Sequence, residues 1–178
     1  MALVGYPAPF FEMPAIMPNG ETQNVRLDNY RGRWLVLFFY PHDFTFVCPT
    51  EITGLSQAYD RFRELDAEIL GVSTDSPHVH KAWMSQGPDQ GGIGKIRYPL
   101  ASDWTHDNAR RYMVYVKEEG AAYRGLFIIN PEGYVEYEVV HNLNVGRSVD
   151  ETLRVLQAIQ AGGLCPVDWT PGKPLLKP

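Results

Sequence analysis

The chain has 178 residues, of which 44% are hydrophobic and 21% charged, and these values suit one soluble globular domain. The formal net charge of -5 argues against a nucleic-acid surface, which would need a basic face. The longest apolar run, Trp34 to Tyr40, is too short to span a membrane. The N-terminus has no Lys or Arg before its apolar residues and meets Pro7 and Pro9 early, so no signal peptide is predicted and a cytoplasmic location is expected.

The first half of the chain predicts strands that alternate with helices. Residues 1–33 are rich in turn formers, with one short strand expected over Thr22 to Leu27. The Trp34 to Tyr40 run lacks polar alternation, which is typical of a strand buried on both faces. Pro49 to Leu65 has apolar residues at helical spacing, and Glu68 to Ser73 predicts a second buried strand. Residues 77–83 predict a helix, because proline is favoured at the first helical position.

The second half predicts a hairpin and a closing helix. The resulting fold class is α/β, with a mixed central β-sheet flanked by helices. Two units are predicted: a domain over 1–163 and an extended C-terminal arm over 164–178, which holds four prolines. The elements expected are a helix near Trp104 to Tyr112, strands near Met113 to Val116, Ala122 to Asn130 and Tyr134 to Val140, and a helix from Val149 to Ala161 that Gly162-Gly163 ends.

The two cysteines, Cys48 and Cys165, are too few and too far apart for a disulfide framework, and no CxxC pair is present. Pro49 fits the first position of a helix, which predicts Cys48 as the N-cap. A thiolate there would accept backbone N–H groups at the positive end of the helix dipole, and both effects favour the charged form. The alternative is a small, inert cysteine buried in a helix start.

Surrounding residues suggest how this thiol could be used. Thr45 is expected to direct its hydroxyl at the Cys48 sulfur, and four aromatic residues would shield the site from bulk water. A phosphatase loop would need an arginine where Gly54 stands, and none of the five histidines follows a cysteine-hydrolase signature. Attack on a peroxide O–O bond needs no such base and yields a sulfenic acid, which Cys165 could condense into a disulfide. The four aromatic residues are Phe38, Phe39, Phe44 and Phe46.

The segment PHDFTFVCPTE, residues 41–51, resembles the active-site segment of the peroxiredoxins, whose pattern is Pro-x-x-x-Thr-x-x-Cys. Cys165-Pro166 with Trp169 is similar to the resolving-cysteine segment of the typical two-cysteine class, the alkyl hydroperoxide reductase and thioredoxin peroxidase group. The resemblance runs through the whole chain and implies a thioredoxin-like fold. It includes Val72 to Ser76, Ala82-Trp83, Tyr98 to Leu100, Arg124 to Ile129 and Gly146 to Ser148.

This resemblance implies a thiol-specific peroxidase for hydrogen peroxide and small organic hydroperoxides, without cofactor or metal. Cys48 would be the peroxidatic cysteine and Cys165 of a neighbouring subunit the resolving one. Homodimers, and by resemblance a ring of five dimers, would form. A thioredoxin-like or flavoprotein dithiol donor would reduce the disulfide. The alternatives are a redox-regulated holdase chaperone or peroxide sensor, and a structural thioredoxin-fold binding protein with an unreactive Cys48.

Matching positions imply roles for five further residues. Thr45 would hydrogen-bond the peroxide and Pro41 would shield the site. Arg124 would hold the thiolate and polarise the departing oxygen, as a donor fork beside an anion can. Glu51 and Arg147 would form a supporting ion network. Without the resemblance, Glu51 is a first-turn carboxylate favoured by the helix dipole, and Arg147 a surface charge.

The chain departs from the family pattern in two places. His42 stands where an aliphatic residue is common, and it is expected to face solvent. Gly91-Gly92-Ile93-Gly94 is similar to a Gly-Gly-Leu-Gly element of peroxide-sensitive members. Its usual partner, an aromatic pair on a C-terminal helix, has no counterpart in Thr170 to Pro178. Faster disulfide formation and more resistance to overoxidation are therefore expected.

Two weaker patterns are rejected. GPDQGGIGK, residues 87–95, lacks the Ser or Thr and the earlier glycine of a phosphate-binding loop. His78 and His80 with His106 have a spacing that suits a metal-binding strand better than a helix start. These histidines are expected at the surface.

Overall fold

The structure is a computed structural model that describes residues 2–178. The described chain contains strands, α-helices and two short 3-10 helices at Leu27–Tyr30 and Pro88–Gln90. The strands are β1 (Glu12–Ile16), β2 (Thr22–Arg26), β3 (Trp34–Phe39), β4 (Ala67–Ser73), β5 (Leu100–Ser102), β6 (Tyr115–Val116), β7 (Ala121–Ala122), β8 (Arg124–Ile129) and β9 (Val135–His141). The α-helices are α1 (Val47–Gln57), α2 (Tyr59–Glu64), α3 (Pro77–Ser85), α4 (Asp107–Arg111) and α5 (Val149–Ala161).

Seven of these strands form one mixed sheet in the order β2-β1-β5-β4-β3-β8-β9. β4 pairs in parallel with β3 and β5, and the other pairings are antiparallel. β6 and β7 form a separate two-stranded ribbon. The mixed α/β architecture predicted from the sequence is confirmed.

Both faces of the central sheet are buried. Along β3, Leu35 and Leu37 pack into one hydrophobic cluster, and Val36 and Phe38 pack into the other. Helices α1, α2, α3 and α5 contribute to the cluster around Val36, whereas α4 and the N-terminal segment contribute to the cluster around Leu35. The prediction of a strand buried on both sides is therefore correct. The chain continues from the C-terminal end of β3 into the loop that precedes Cys48.

Two predictions of secondary structure need correction. The helix expected over Pro49 to Leu65 is two helices, because the backbone at Ala58 (φ -85°, ψ 2°) leaves helical geometry. β1 was not predicted, since Pro14 argues against a strand. The sheet accommodates this proline because the second neighbour of β1, the short β5, pairs only with Ala15 and Ile16.

Cys165 and Trp169 hold the start of the C-terminal segment 164–178 against α5, whereas most residues of the segment are exposed. Arg154 donates through Nη1 to the carbonyl of Trp169 at 2.9 Å, and Trp169 is buried. Leu176 donates its backbone N–H to the carbonyl of Leu164 at 2.8 Å, which closes the segment on itself. Among residues 2–178, none of the helices has the length and hydropathy that spanning a bilayer requires.

Candidate active site

Cys48 lies in the first turn of α1, one residue after the helix begins at Val47. The predicted N-cap position is therefore wrong: Phe46 precedes the helix, in right-handed helical geometry and without a side-chain cap. The helix starts earlier because the 41–46 loop turns the chain before Pro49 is reached. Cys48 still lies near the positive end of the helix dipole, and it is only 1% exposed.

Arg124, at the start of β8, faces the sulfur of Cys48. Its Nη1 donates to Cys48 Sγ at 3.4 Å and to Glu51 Oε1 at 2.6 Å, while Nε donates to the carbonyl of Leu143 at 2.7 Å. The residue is 3% exposed. This guanidinium is held on two sides and presents its positive charge to the sulfur of Cys48.

Glu51, one turn along α1 from Cys48, joins two arginines. Its Oε2 accepts from Arg147 Nε at 2.6 Å and from the Arg147 backbone N–H at 2.8 Å, and Oε1 accepts from Arg124. Burial alone would raise the pKa of Glu51, but the hydrogen bonds and charge of Arg147, with the charge of Arg124, outweigh burial and lower it. Glu51 is therefore an anion between two cations, and the three charges balance to one positive charge beside the sulfur.

Arg147 ties this network to the sheet. Its Nη1 donates to the carbonyls of Phe39 at 2.8 Å and Gly125 at 2.7 Å, and its guanidinium lies 5.3 Å from the ring centre of Phe38. The Arg147 side chain is 5% exposed. Interpretation of Arg147 as a simple surface charge is thus excluded.

Other predicted residues lie around the loop before α1. Pro41 is buried, whereas Thr45 is exposed and its Oγ1 donates to the carbonyl of His42 at 2.8 Å, not to Cys48. The expected contact between the Thr45 hydroxyl and the sulfur is absent from the described chain. The aromatic wall is also incomplete, since Phe44 is 46% exposed and Phe46 is 95% exposed.

Cys165 is half-buried beside α5, and its Sγ lies 3.5 Å from the carbonyl of Ala158. It borders an open groove of about 470 Å³ whose lining includes Val155 and Val167. Both cysteines are free thiols. The single chain therefore does not pair Cys165 with Cys48 in this state.

A buried polar cluster behind the 41–46 loop was missed at the sequence level. His80, expected at the surface, is completely buried and contacts Asp43 through Nδ1 at 2.7 Å. Its place on α3, three and four residues before the buried Trp83 and Met84, is the signal that could have revealed this. Residues 2–178 hold no group of three or more His, Cys, Asp or Glu side chains arranged to bind a metal.

Comparisons with known proteins identify the family of the chain. Residues 4–138 match the model of the AhpC/TSA family. A Clostridium pasteurianum protein named as a peroxiredoxin in the rubredoxin operon is 58% identical over 171 residues, which cover 96% of each chain. Peroxiredoxin-1 of Gallus gallus is 47% identical over 181 residues, covering 99% of this chain and 91% of the relative.

Solved structures extend the similarity to three dimensions. A reduced 2-Cys peroxiredoxin of Plasmodium vivax superposes with a TM-score of 0.95 at 40% identity, covering 98% of this chain and 92% of the other. AhpC of Enterococcus faecalis superposes with a TM-score of 0.87 at 37% identity, covering 93% and 100%. The thioredoxin-like fold is confirmed, and the chain belongs to the AhpC/TSA family of peroxiredoxins, which are thiol-dependent peroxidases.

Proposed function

We propose that Cys48 is the peroxidatic cysteine, which reduces hydrogen peroxide and small organic hydroperoxides. The thiolate attacks one peroxide oxygen, a sulfur–oxygen bond forms and the O–O bond breaks. The departing oxygen takes a proton and leaves as water or an alcohol, and Cys48 becomes a sulfenic acid. The observation that carries this proposal is the contact of Arg124 Nη1 with the buried Cys48 sulfur at 3.4 Å.

In this proposal Arg124 stabilises negative charge as it moves from sulfur to oxygen. Its guanidinium has five donors, and the contacts to Leu143 and Glu51 fix its plane before a peroxide arrives. Glu51 and Arg147 act indirectly: Glu51 holds Arg124, and Arg147 anchors Glu51 to the sheet. Pre-set donors of this kind need no reorganisation during the reaction.

Thr45 and Pro41 complete the proposed site. The Thr45 hydroxyl is used as a donor to His42, so its oxygen lone pairs are free to accept a hydrogen bond from the peroxide O–H. Because Thr45 is exposed, it would meet the substrate at the mouth of the site. Pro41, which is buried and has no N–H, would keep water from the sulfur.

The second step is proposed to join two subunits. The Cys165 thiolate of a neighbouring chain attacks the Cys48 sulfur, the S–O bond breaks and a disulfide forms, while the departing hydroxide takes a proton and leaves as water. Cys48 is almost completely buried, so α1 has to open first. The uncapped first turn of that helix supports such an opening, because capping by a side chain normally stabilises it.

A homodimer is the smallest assembly that this step requires, and a ring of five dimers is proposed on the family resemblance. Large apolar side chains that association would cover include Phe46, 95% exposed, and Trp104, 64% exposed. Residues 1–163 would form the peroxidase domain and 164–178 the arm that offers Cys165. A cytoplasmic location suits the cycle, because the disulfide has to be reduced after each turnover.

The proposed electron donor is a thioredoxin-like or flavoprotein dithiol, which attacks the disulfide and releases both thiols. The test is peroxide consumption in the presence of thioredoxin, thioredoxin reductase and NADPH, or of a flavoprotein disulfide reductase. Catalytic NADPH oxidation that requires both Cys48 and Cys165 supports the proposal. Stoichiometric oxidation without turnover by either donor would contradict it and favour a peroxide sensor or a holdase chaperone.

A further inference from the structure

A set of polar side chains is buried directly behind the loop that leads to Cys48. The side chains of Asp43 and His80 have no exposed surface, and Asp43 Oδ2 lies 2.7 Å from His80 Nδ1. The Tyr40 hydroxyl donates to the other carboxylate oxygen, Oδ1, at 2.7 Å. Buried polar groups are costly unless they are paired, so these contacts have to persist for the loop to stay folded.

The geometry shows that the Asp43–His80 contact needs a proton. His80 Nε2 lies 3.0 Å from the carbonyl oxygen of Ala101, which can only accept, so Nε2 carries a hydrogen. A neutral imidazole would then have only a lone pair at Nδ1, facing the carboxylate of Asp43. The contact is attractive only when one further proton lies between Nδ1 and Oδ2, shared by the two groups.

Asp43 also fixes a strained stretch of backbone. The Asp43 N–H donates to Asp75 Oδ2 at 2.9 Å, so the residue is fixed through its main chain as well as its side chain. Phe44, the next residue, has φ 54°, a left-handed conformation that a bulky side chain rarely adopts. Loss of the Asp43 contacts would let this strain relax, and Cys48 follows four residues later.

We propose that Asp43 and His80 are positioning residues for the peroxidase reaction, whose shared proton keeps the 41–46 loop folded and Cys48 beside Arg124. When that proton is lost, the loop opens and Cys48 can leave its pocket. The step that benefits is the attack of Cys165 on the Cys48 sulfenic acid, so this part of the inference rests on the proposed function. Neither Asp43 nor His80 touches the sulfur, and both act through the loop.

Three ionisable groups face His80: Tyr40 from the end of β3, Asp43 from the loop, and Asp75 after β4. Burial alone would lower the pKa of His80, but the hydrogen bond and charge of Asp43 outweigh it and raise the pKa above the ordinary 6.5. Because the pKa of His80 is higher in the folded than in the unfolded chain, the Asp43–His80 contact is complete below about pH 6.5. It is lost as the pH rises through the folded-state pKa of His80. The 41–46 loop is therefore expected to open as the pH rises above the folded-state pKa of His80.

The test is hydrogen exchange of the backbone amides of residues 41–57 in the reduced full-length protein, at about pH 6 and about pH 9, corrected for intrinsic exchange rates. Wild type is expected to lose about tenfold in protection between these values. In Asp43→Asn the protection should fall less than about twofold, because the asparagine amide can donate to the neutral Nδ1 of His80 and form a hydrogen bond that does not depend on pH. His80→Leu, which leaves the Asp43 carboxylate buried without its partner, should be weakly protected at both pH values.

Asp60→Asn is the matched control, since Asp60 forms an exposed ion pair with Arg97 and should behave as wild type. An equal loss of protection in wild type and Asp43→Asn would overturn the inference, and so would wild-type protection in His80→Leu. If His80→Leu does not fold, the comparison of wild type with Asp43→Asn decides alone.

The rate of disulfide formation is a second measurement, and it distinguishes a failure of the inference about the loop from a failure of the proposed function. In His80→Leu the disulfide should form about tenfold faster after peroxide is added, with a smaller sulfinic fraction. Disulfide formation at the wild-type rate in a variant with lost protection would overturn the link between the loop and the resolving step. A wild type that forms no disulfide, yet shows the expected exchange pattern, would contradict the proposed function and support the anchoring of the loop.

Discussion

One nitrogen of Arg124 serves two partners, since Nη1 donates both to Cys48 Sγ at 3.4 Å and to Glu51 Oε1 at 2.6 Å. The carboxylate that fixes the guanidinium therefore also competes for it with the sulfur. A second arginine, Arg147, saturates Glu51 with three further hydrogen bonds, which leaves Arg124 available to the Cys48 sulfur. In the proposed function, the reactivity of Cys48 would thus depend on residues that do not touch it.

The first prediction concerns the shape of the cation at position 124. Arg124→Lys keeps the charge but loses the fork that reaches Leu143, Glu51 and Cys48 together. We expect the second-order rate constant for peroxide to fall about tenfold to a hundredfold. Stopped-flow measurement of Cys48 oxidation tests this. Arg61→Lys, in an exposed ion pair with Asp150, is the control, and an unchanged rate in Arg124→Lys would refute the assigned role.

The second prediction concerns acid stability. Because the pKa of Glu51 is lower in the folded than in the unfolded chain, its contribution is complete above about pH 4.5 and is lost as the pH falls through the folded value. Glu51→Gln removes this dependence and leaves two buried arginines without an anion. We expect a loss of about 3 kcal/mol in the free energy of unfolding at neutral pH.

Urea unfolding at neutral and acid pH measures both effects. The wild type should lose stability on acidification more steeply than Glu51→Gln, whereas the exposed Glu119→Gln should follow the wild type. Parallel pH profiles for wild type and Glu51→Gln would show that the network does not hold Glu51 as an anion.

The third prediction tests the hydroxyl of Thr45. Thr45→Val has nearly the same shape but cannot accept a hydrogen bond from a peroxide, so its rate constant for peroxide should fall about tenfold. Thr45→Ser retains the hydroxyl and should stay near wild type. Since Thr45 is exposed, the melting temperature of Thr45→Val should change by only about 2 °C. Equal rates for the two variants would remove Thr45 from the site.

The fourth prediction concerns overoxidation. The hydrogen bonds of residues 170–178 within the described chain all go to residues 164–173, so this segment adds no hydrogen bond that would hold α1 closed. Opening of α1 should therefore be easy, and Cys48 should reach the disulfide before a second peroxide attacks it. Mass spectrometry at a low peroxide excess should find mainly disulfide in wild type and mainly sulfinic acid in Cys165→Ser. Abundant sulfinic acid in wild type would refute this expectation.

The sequence predicted β3 and the starts of α3 and α5 correctly, but it missed β1 and placed the start of α1 too late. An apolar run such as Trp34 to Tyr40 specifies burial on both faces through its own composition, and the structure agrees. The start of α1 depends on the turn that precedes it, where Phe44 adopts a positive φ that no residue pattern announces. Cys48 is consequently inside the helix and not at its cap.

The ion network was predictable only in part. Charge and motif identified Arg124, Glu51 and Arg147, but the contact of Arg147 with the backbone of β3 and β8 depends on chain segments about 100 and about 20 residues away. His80 was misassigned because a polar residue on a helix is usually exposed, whereas here Asp43 supplies a buried partner. Such long-range pairings cannot be deduced from local spacing.

Two cysteines on different chains are proposed to carry out the reaction, and non-reducing gel electrophoresis after one equivalent of hydrogen peroxide tests this directly. Wild type, Cys48→Ser and Cys165→Ser are compared side by side. We expect a disulfide-linked dimer in wild type alone, with a peptide map that joins Cys48 to Cys165. Free thiols that survive peroxide in wild type, or a disulfide confined to one chain, would contradict it.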